Sequence, residues 1–209
     1  MTALLDNFAL LREPRRPWLD ADMLKQKFLA LASEMHPDHS HEAGAAARES
    51  ATDRFAELNA AWQCLREPKD CLGHLLQLEL GAPPADAQDV PADAMNLFFE
   101  TGRICRAADT FLAAKEKTSS PLLMTQMFGQ GMELAGQLNE LQQVIRRRRE
   151  ELLAELPGLN AAWEAAPAAG SADRAAALPL ETLERVYRML SYIARWTGQI
   201  QERLARLSF

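Results

Sequence analysis

Apolar residues recur along this chain at helical spacing. After Pro17 the positions Leu24, Phe28, Leu31 and Met35 fall at i, i+4, i+7 and i+11, which is one face of an amphipathic helix of about four turns. Asp20 is a suitable N-cap, and Asp22 lies in the first turn, where the helix dipole favours an anion. Pro37 stops the helix, because it disfavours helical backbone at His36 and has no amide hydrogen of its own. Asp38 to Gly44 therefore reads as a loop. A second helix is predicted from about Ala45 to Leu65, carrying Phe55, Leu58, Trp62 and Leu65 on one face and ending before Pro68. It runs antiparallel to the first. A third segment, Lys69 to Leu80, carries Leu72, Leu75, Leu76 and Leu80 and ends at Gly81, a favoured residue just beyond a helix.

From Gly81 to Pro91 the chain has three prolines and few apolar residues, the composition of a linker. Beyond it three longer helices are predicted, about Pro91 to Lys117, Pro121 to Leu156 and Pro179 to Leu207, each opening at a proline that the first helical turn tolerates. The segment between the last two is Ala-rich and reads as a joint. In the first of the three, Leu97, Phe98, Thr101, Ile104, Cys105, Ala108, Phe111 and Leu112 fall on one arc of roughly 140°. The opposite arc is polar except for Met95 and Phe99, two large apolar residues out of place on a solvated face. In the last helix, Leu183, Val186, Tyr187, Leu190, Ala194, Thr197 and Leu204 make the buried face, with Met189 at its edge. The pattern predicts residues 1–80 as one helical domain, 81–90 as a linker, and 91–209 as a three-helix bundle.

Composition agrees with an all-α protein. The chain is 48% hydrophobic and 25% charged but only 7% aromatic, and Ala, Leu, Glu and Arg dominate over β-branched residues. With 23 basic and 29 acidic side chains the net charge is −6, which excludes a general attraction to nucleic acid or anionic lipid. No apolar run approaches the roughly 20 residues of a membrane span. The start, MTALLDNFALLREPRR, lacks a basic region ahead of an apolar run, so no secretory signal is read and a cytoplasmic location is expected. Cys64, Cys71 and Cys105 form no C-x-x-C pair and are expected as reduced core thiols.

Catalytic chemistry finds little purchase. There is no Gly-rich phosphate loop, nucleophile elbow or paired-carboxylate site, so neither an enzyme nor a cofactor is expected. His36, His39 and His41 are close in sequence, but no second ligand cluster supports them, and no metal site is expected. The run Arg146 to Arg149 fits a solvated helix face through the i, i+4 pairs Arg146 with Glu150 and Arg147 with Glu151.

What remains is the triplet His36-Pro37-Asp38 between two antiparallel amphipathic helices. This setting resembles a J-domain, the module by which DnaJ-class co-chaperones activate heat-shock ATPases. The stretch from Phe8 to Gly81 resembles HscB-type proteins of iron–sulfur cluster assembly in particular. It carries FALL at Phe8 to Leu11, Leu19-Asp20, the triplet, Ser50-Ala51, NAAWQCLREP from Asn59 to Pro68, and Leu75-Leu76 ahead of Gly81. The resemblance implies that His36, Pro37 and Asp38 engage a DnaK/HscA-type ATPase, with Asp38 pairing a partner arginine, and that Lys25 and Lys27 on the preceding helix face the same partner. Pro37 restricts the loop, and a carboxylate accepts a bidentate arginine, so the role is physically sound.

Departures are visible too. Met35 stands where an aromatic is common, and His39 where a lysine is usual. The basic face is reduced to two lysines against Asp20, Asp22 and Glu34, with Arg12, Arg15 and Arg16 upstream as partial compensation. The resemblance further implies that the C-terminal bundle binds a scaffold protein of the IscU type, through apolar and acidic residues at Met95, Phe99 and Glu100 and an apolar contact at Met189. The acidic patch of the family is largely missing, since Arg103 and Arg106 stand among the exposed residues. Two readings stay open for Met95 and Phe99, client contact or internal packing. Two stay open for the chain, an ATPase-activating co-chaperone or a J-like adaptor without stimulation.

Overall fold

The first helix begins earlier than the periodicity indicates. In a computed structural model describing residues 4–35, 45–84 and 90–208, Asp6 caps α1 (Asn7–Leu10), its carboxylate accepting from the amides of Phe8 and Ala9 at 3.0 and 3.2 Å. One turn is too short to show a period, yet it buries Phe8 and, just past its end, Leu11, both fully. Next comes α2 (Ala21–Glu34), with Asp20 as its N-cap as expected, accepting from Asp22 and Met23. It is followed by α3 (Ala45–Arg66) and α4 (Pro68–Leu80). Pro68 opens α4, and Gly81, at φ 73°, closes it in the left-handed conformation that glycine adopts without penalty. Packing of α1, α2 and α4 against α3 buries Leu24, Leu31, Leu58, Ala61, Leu65, Leu72, Leu75 and Leu76.

After a single 3₁₀ turn at Ala92–Ala94 come α5 (Met95–Glu116), α6 (Pro121–Ala165), the short α7 (Arg174–Ala177) and α8 (Leu180–Leu207). Among the described residues there are eight α-helices and no strand. The all-α architecture is therefore as the sequence indicates. The end of α6 is not. The helix runs through Pro157 for a further two turns, although an interior proline costs about 3 kcal/mol in propensity. Tertiary contacts outweigh that cost. Trp163 is buried, and Asn160 both accepts from the Trp18 amide and donates to the Trp18 carbonyl, each at 3.0 Å.

By packing, the chain divides into two units, Met1–Ala85 with Glu155–Tyr187, and Asp86–Ala154 with Arg188–Phe209. This differs from the sequence-based boundaries, which place everything beyond residue 90 in the bundle. The Ala-rich joint belongs with the N-terminal helices because Arg174 of α7 forms a bidentate ion pair with Glu79 of α4, at 2.7 and 2.9 Å. Its third donor reaches the Pro167 carbonyl at 2.6 Å. Composition hid this, since one arginine among alanines has no period.

In the second unit, Ile104, Cys105, Ala108, Phe111 and Leu112 of α5 are buried, together with Leu134, Leu138, Leu141 and Ile145 of α6. The buried positions of α8 run Leu183, Val186, Met189, Leu190, Tyr192, Ile193, Trp196 and Ile200. That stripe is rotated from the expected one: Ala194 is exposed, and Tyr187, Thr197 and Leu204 are half-buried. Arg203 ties α8 to Asp109 of α5 at 2.7 Å. Arg148 of α6 pairs with Asp93 at 2.7 Å and with Glu151 at 3.0 Å, while Arg146 pairs with Glu150 as expected. Cys71 and Cys105 are buried and Cys64 half-buried, all three as free thiols, and burial pushes each thiol pKa upward. Among the described residues no helix is long and apolar enough to cross a membrane, and no group of His, Cys, Asp or Glu is placed to hold a metal.

Candidate partner-binding surfaces

The triplet His36, Pro37 and Asp38, together with His39 and His41, lies outside the described residues. Its frame is described. Phe28 of α2 stacks on Trp62 of α3, with ring centroids 4.9 Å apart and planes 13° from parallel, and the Arg66 guanidinium sits 6.0 Å from the Trp62 ring. Trp62 is half-buried rather than fully buried. The stack pins α2 to α3 on the helices that flank residues 36–44.

The basic side chains near this frame are largely committed to internal pairs. Lys25 is exposed. Lys27 instead reaches back to Glu13 at 2.6 Å and to the Arg12 carbonyl at 3.2 Å, holding a segment in which Arg12 has the left-handed φ of 52°. Arg12 pairs with Glu34 at 3.1 Å, Arg15 with Asp6 at 2.8 Å and Arg16 with Glu13 at 3.5 Å. The compensation expected from these arginines is therefore reduced, because each positive charge has a carboxylate beside it. Paired charges project a weaker field than free ones, and salt screens it further.

His74 of α4 anchors α1. Its Nε2 accepts from the Asn7 amide at 3.1 Å, and its ring stacks on Phe8 with centroids 5.9 Å apart. Burial holds its pKa below the usual histidine value; Asp6 opposes that shift and Arg15 adds to it.

At the start of α5 the exposed apolar residues are Met95 at 37%, Phe98 at 41% and Phe99 at 59%. Phe98, placed by its arc in the core, is thus on the surface, where it meets Phe99 edge to face at 5.6 Å. Phe98 stands at the margin of that arc, about 60° round the helix from the buried Thr101, and helical arithmetic finds the face but not how far round it is covered. Glu100 is exposed and held in a bidentate pair by Arg103 at 2.7 and 3.1 Å. The hydrogen bond from Arg103 keeps its carboxyl below the usual range. This surface is therefore three apolar side chains beside a neutralised ion pair, and Phe98 is a member that the sequence reading missed.

Met189 requires a correction. It is fully buried, at the centre of the α8 stripe with Ile193 and Trp196. The expected edge position came from an arc centred too far toward Tyr187 and Ala194, and a side chain with no exposed surface offers nothing to a client.

No family model matches the sequence. Among solved structures, the chain is similar to the chaperone HscB from Vibrio cholerae, 19% identical, with 97% of this chain and 99% of that one covered at a TM-score of 0.60. The chain has an HscB-type fold. The likeness embraces both units and the Ala-rich segment, so the HscB-type architecture includes the residues that sequence composition had set aside as a joint.

Proposed function

We propose that the chain is a co-chaperone that stimulates the ATPase of a DnaK/HscA-type heat-shock chaperone through His36, Pro37 and Asp38, aided by Lys25, and delivers an IscU-like scaffold protein held at Met95, Phe98 and Phe99. The observation carrying this reading is the HscB-type fold over nearly the whole chain, in a sequence that has His36-Pro37-Asp38 between α2 and α3. Lys27, given its tie to Glu13, acts mainly by fixing the α1–α2 connection. Glu100 orients Arg103 rather than offering a free charge.

One observation favours the adaptor reading, in which stimulation is weak. The arginines and Lys27 are internally paired, which leaves the partner-facing electrostatics thin. Steady-state ATP turnover separates the two. In the co-chaperone reading the chain raises the turnover of a DnaK/HscA-type chaperone, and an IscU-like scaffold raises it further in the same mixture. A chain that binds the scaffold but leaves turnover at its basal value is an adaptor.

A further inference from the structure

Within the second unit, the start of α6 and the ends of α5 and α8 enclose an open apolar groove of about 250 Å³, lined chiefly by Phe111, Lys115, Met124, Met127, Phe128 and Met132. Its floor is part of the core, since Phe111 is buried and packs with Leu134, Met127 and Leu207. Gly131 makes the depth possible. A Cβ at that position would lie 3.1 Å from the Phe111 ring, so the missing side chain lets the ring lie against the α6 backbone.

The rim is unusually apolar for a solvated helix. Met124, Phe128 and Met132, spaced i, i+4 and i+8, are 48%, 71% and 60% exposed, a stripe about 12 Å long. Such a stripe is what a partner helix covers with residues at i, i+3 or i+4 and i+7. Flexible methionines suit a surface that repacks around its ligand.

Charge decides the chemistry of that ligand. Among the described residues lining the groove, Lys115 is the ionisable side chain; it is half-buried and has no ion pair among them. Its neighbour Glu116 is tied to Arg206 at 3.0 Å, and Glu133 lies about 100° further round α6 than Met132. The groove is thus apolar on floor and rim with one cation, Lys115, beside it, in a chain whose net charge is −6. Phe111 is also 16 residues along α5 from Met95, about 24 Å at helical rise, so the groove is separate from the surface proposed for the scaffold.

We propose that this groove docks an amphipathic helix of a partner protein, its apolar side chains on Met124, Phe128 and Met132 and an acidic side chain on Lys115. An open groove favours a helix over an acyl chain, because a lipid tail here would keep one side in water.

The test uses the full chain and a phage-displayed library of helical peptides, selected on the wild-type protein and counter-selected on Phe128→Ser, Met132→Ser. Enriched peptides should carry apolar residues at i, i+3 or i+4 and i+7 flanked by Asp or Glu. A synthetic enriched peptide, labelled with fluorescein, should lose at least about tenfold in affinity for the double variant. For Lys115→Met the loss should be about two- to fivefold, as for a partly exposed ion pair. Both variants should keep the wild-type melt, since the truncated side chains are exposed or on the rim. The proposal is overturned by enrichment that is basic or absent, by binding indifferent to Phe128→Ser, by displacement of selected peptides by dodecanoate with a saturating lipid site, or by a self-association that Phe128→Ser abolishes. Chaperone stimulation by the Phe128→Ser, Met132→Ser variant should equal that of wild type, so failure here and failure of the co-chaperone reading are distinguishable.

Discussion

Replacing Arg174 by alanine should be among the most damaging single changes outside the helix cores. In the folded chain Arg174 and Glu79 have side chains only 10% and 2% exposed, and the guanidinium makes three bonds, two to the carboxylate and one to the Pro167 carbonyl. Removing the arginine leaves a carboxylate in a nearly dry site with no cation beside it, which costs about 3 to 5 kcal/mol. At about 2 to 4 °C per kcal/mol for a chain of this size, the melt should fall by about 6 to 20 °C. Replacing both partners, Glu79→Leu with Arg174→Leu, should recover most of the loss, because paired charges and a well-packed apolar pair are nearly equivalent in stability. Urea unfolding of wild type, the single and the double variant measures both quantities. A loss below about 1 kcal/mol for Arg174→Ala, or a double variant no better than the single one, would refute the reasoning.

Trp62→Ala should cost about 2 to 3 kcal/mol in urea unfolding, less than the 3 to 5 of a fully buried aromatic, since the ring is half-exposed and its main loss is the Phe28 stack; a value under about 0.5 would mean the stack does not hold α2 to α3. His74 has a depressed folded pKa, so its contribution is complete above the unfolded value near 6.5 and is lost as pH falls through the folded one. Between pH 7.5 and 5.5 wild type should accordingly lose more stability than His74→Gln, and parallel pH profiles would contradict the Asn7 anchor. Phe98→Ser with Phe99→Ser should leave the melt unchanged while weakening calorimetric binding of an IscU-like scaffold by about one to two orders of magnitude; a lowered melt would return these rings to internal packing.

What the sequence disclosed follows from what repeats. The α2, α3 and α4 stripes and the caps at Asp20 and Gly81 are local patterns, read directly from spacing and residue type. The core of α5 from Thr101 to Leu112 was legible for the same reason. Misreadings arose where tertiary contacts decide. α6 passes through Pro157 because Trp163 and Asn160 hold its last turns, and α7 joins the first unit through one arginine. Phe98 is exposed because it lies at the margin of the α5 stripe, and a period does not report how far round the helix its neighbours reach. Met189 is buried because the α8 stripe is wider than, and turned from, an arc drawn through alanine and threonine, which carry little orientation signal. The internal pairing of Arg12, Arg15, Arg16 and Lys27 needed coordinates, since their partners lie from 3 to 22 residues away.

The central claim is that His36, Pro37 and Asp38 act on a heat-shock ATPase. Single-turnover ATP hydrolysis by a DnaK/HscA-type chaperone, with wild-type chain and with Asp38→Asn, tests it most directly. The substitution is isosteric and removes only the charge offered to the partner's arginine, so helicity and melting should be unchanged. Hydrolysis should accelerate with wild type and stay at the basal rate with Asp38→Asn. Equal rates with the two proteins, whether both basal or both accelerated, would contradict it.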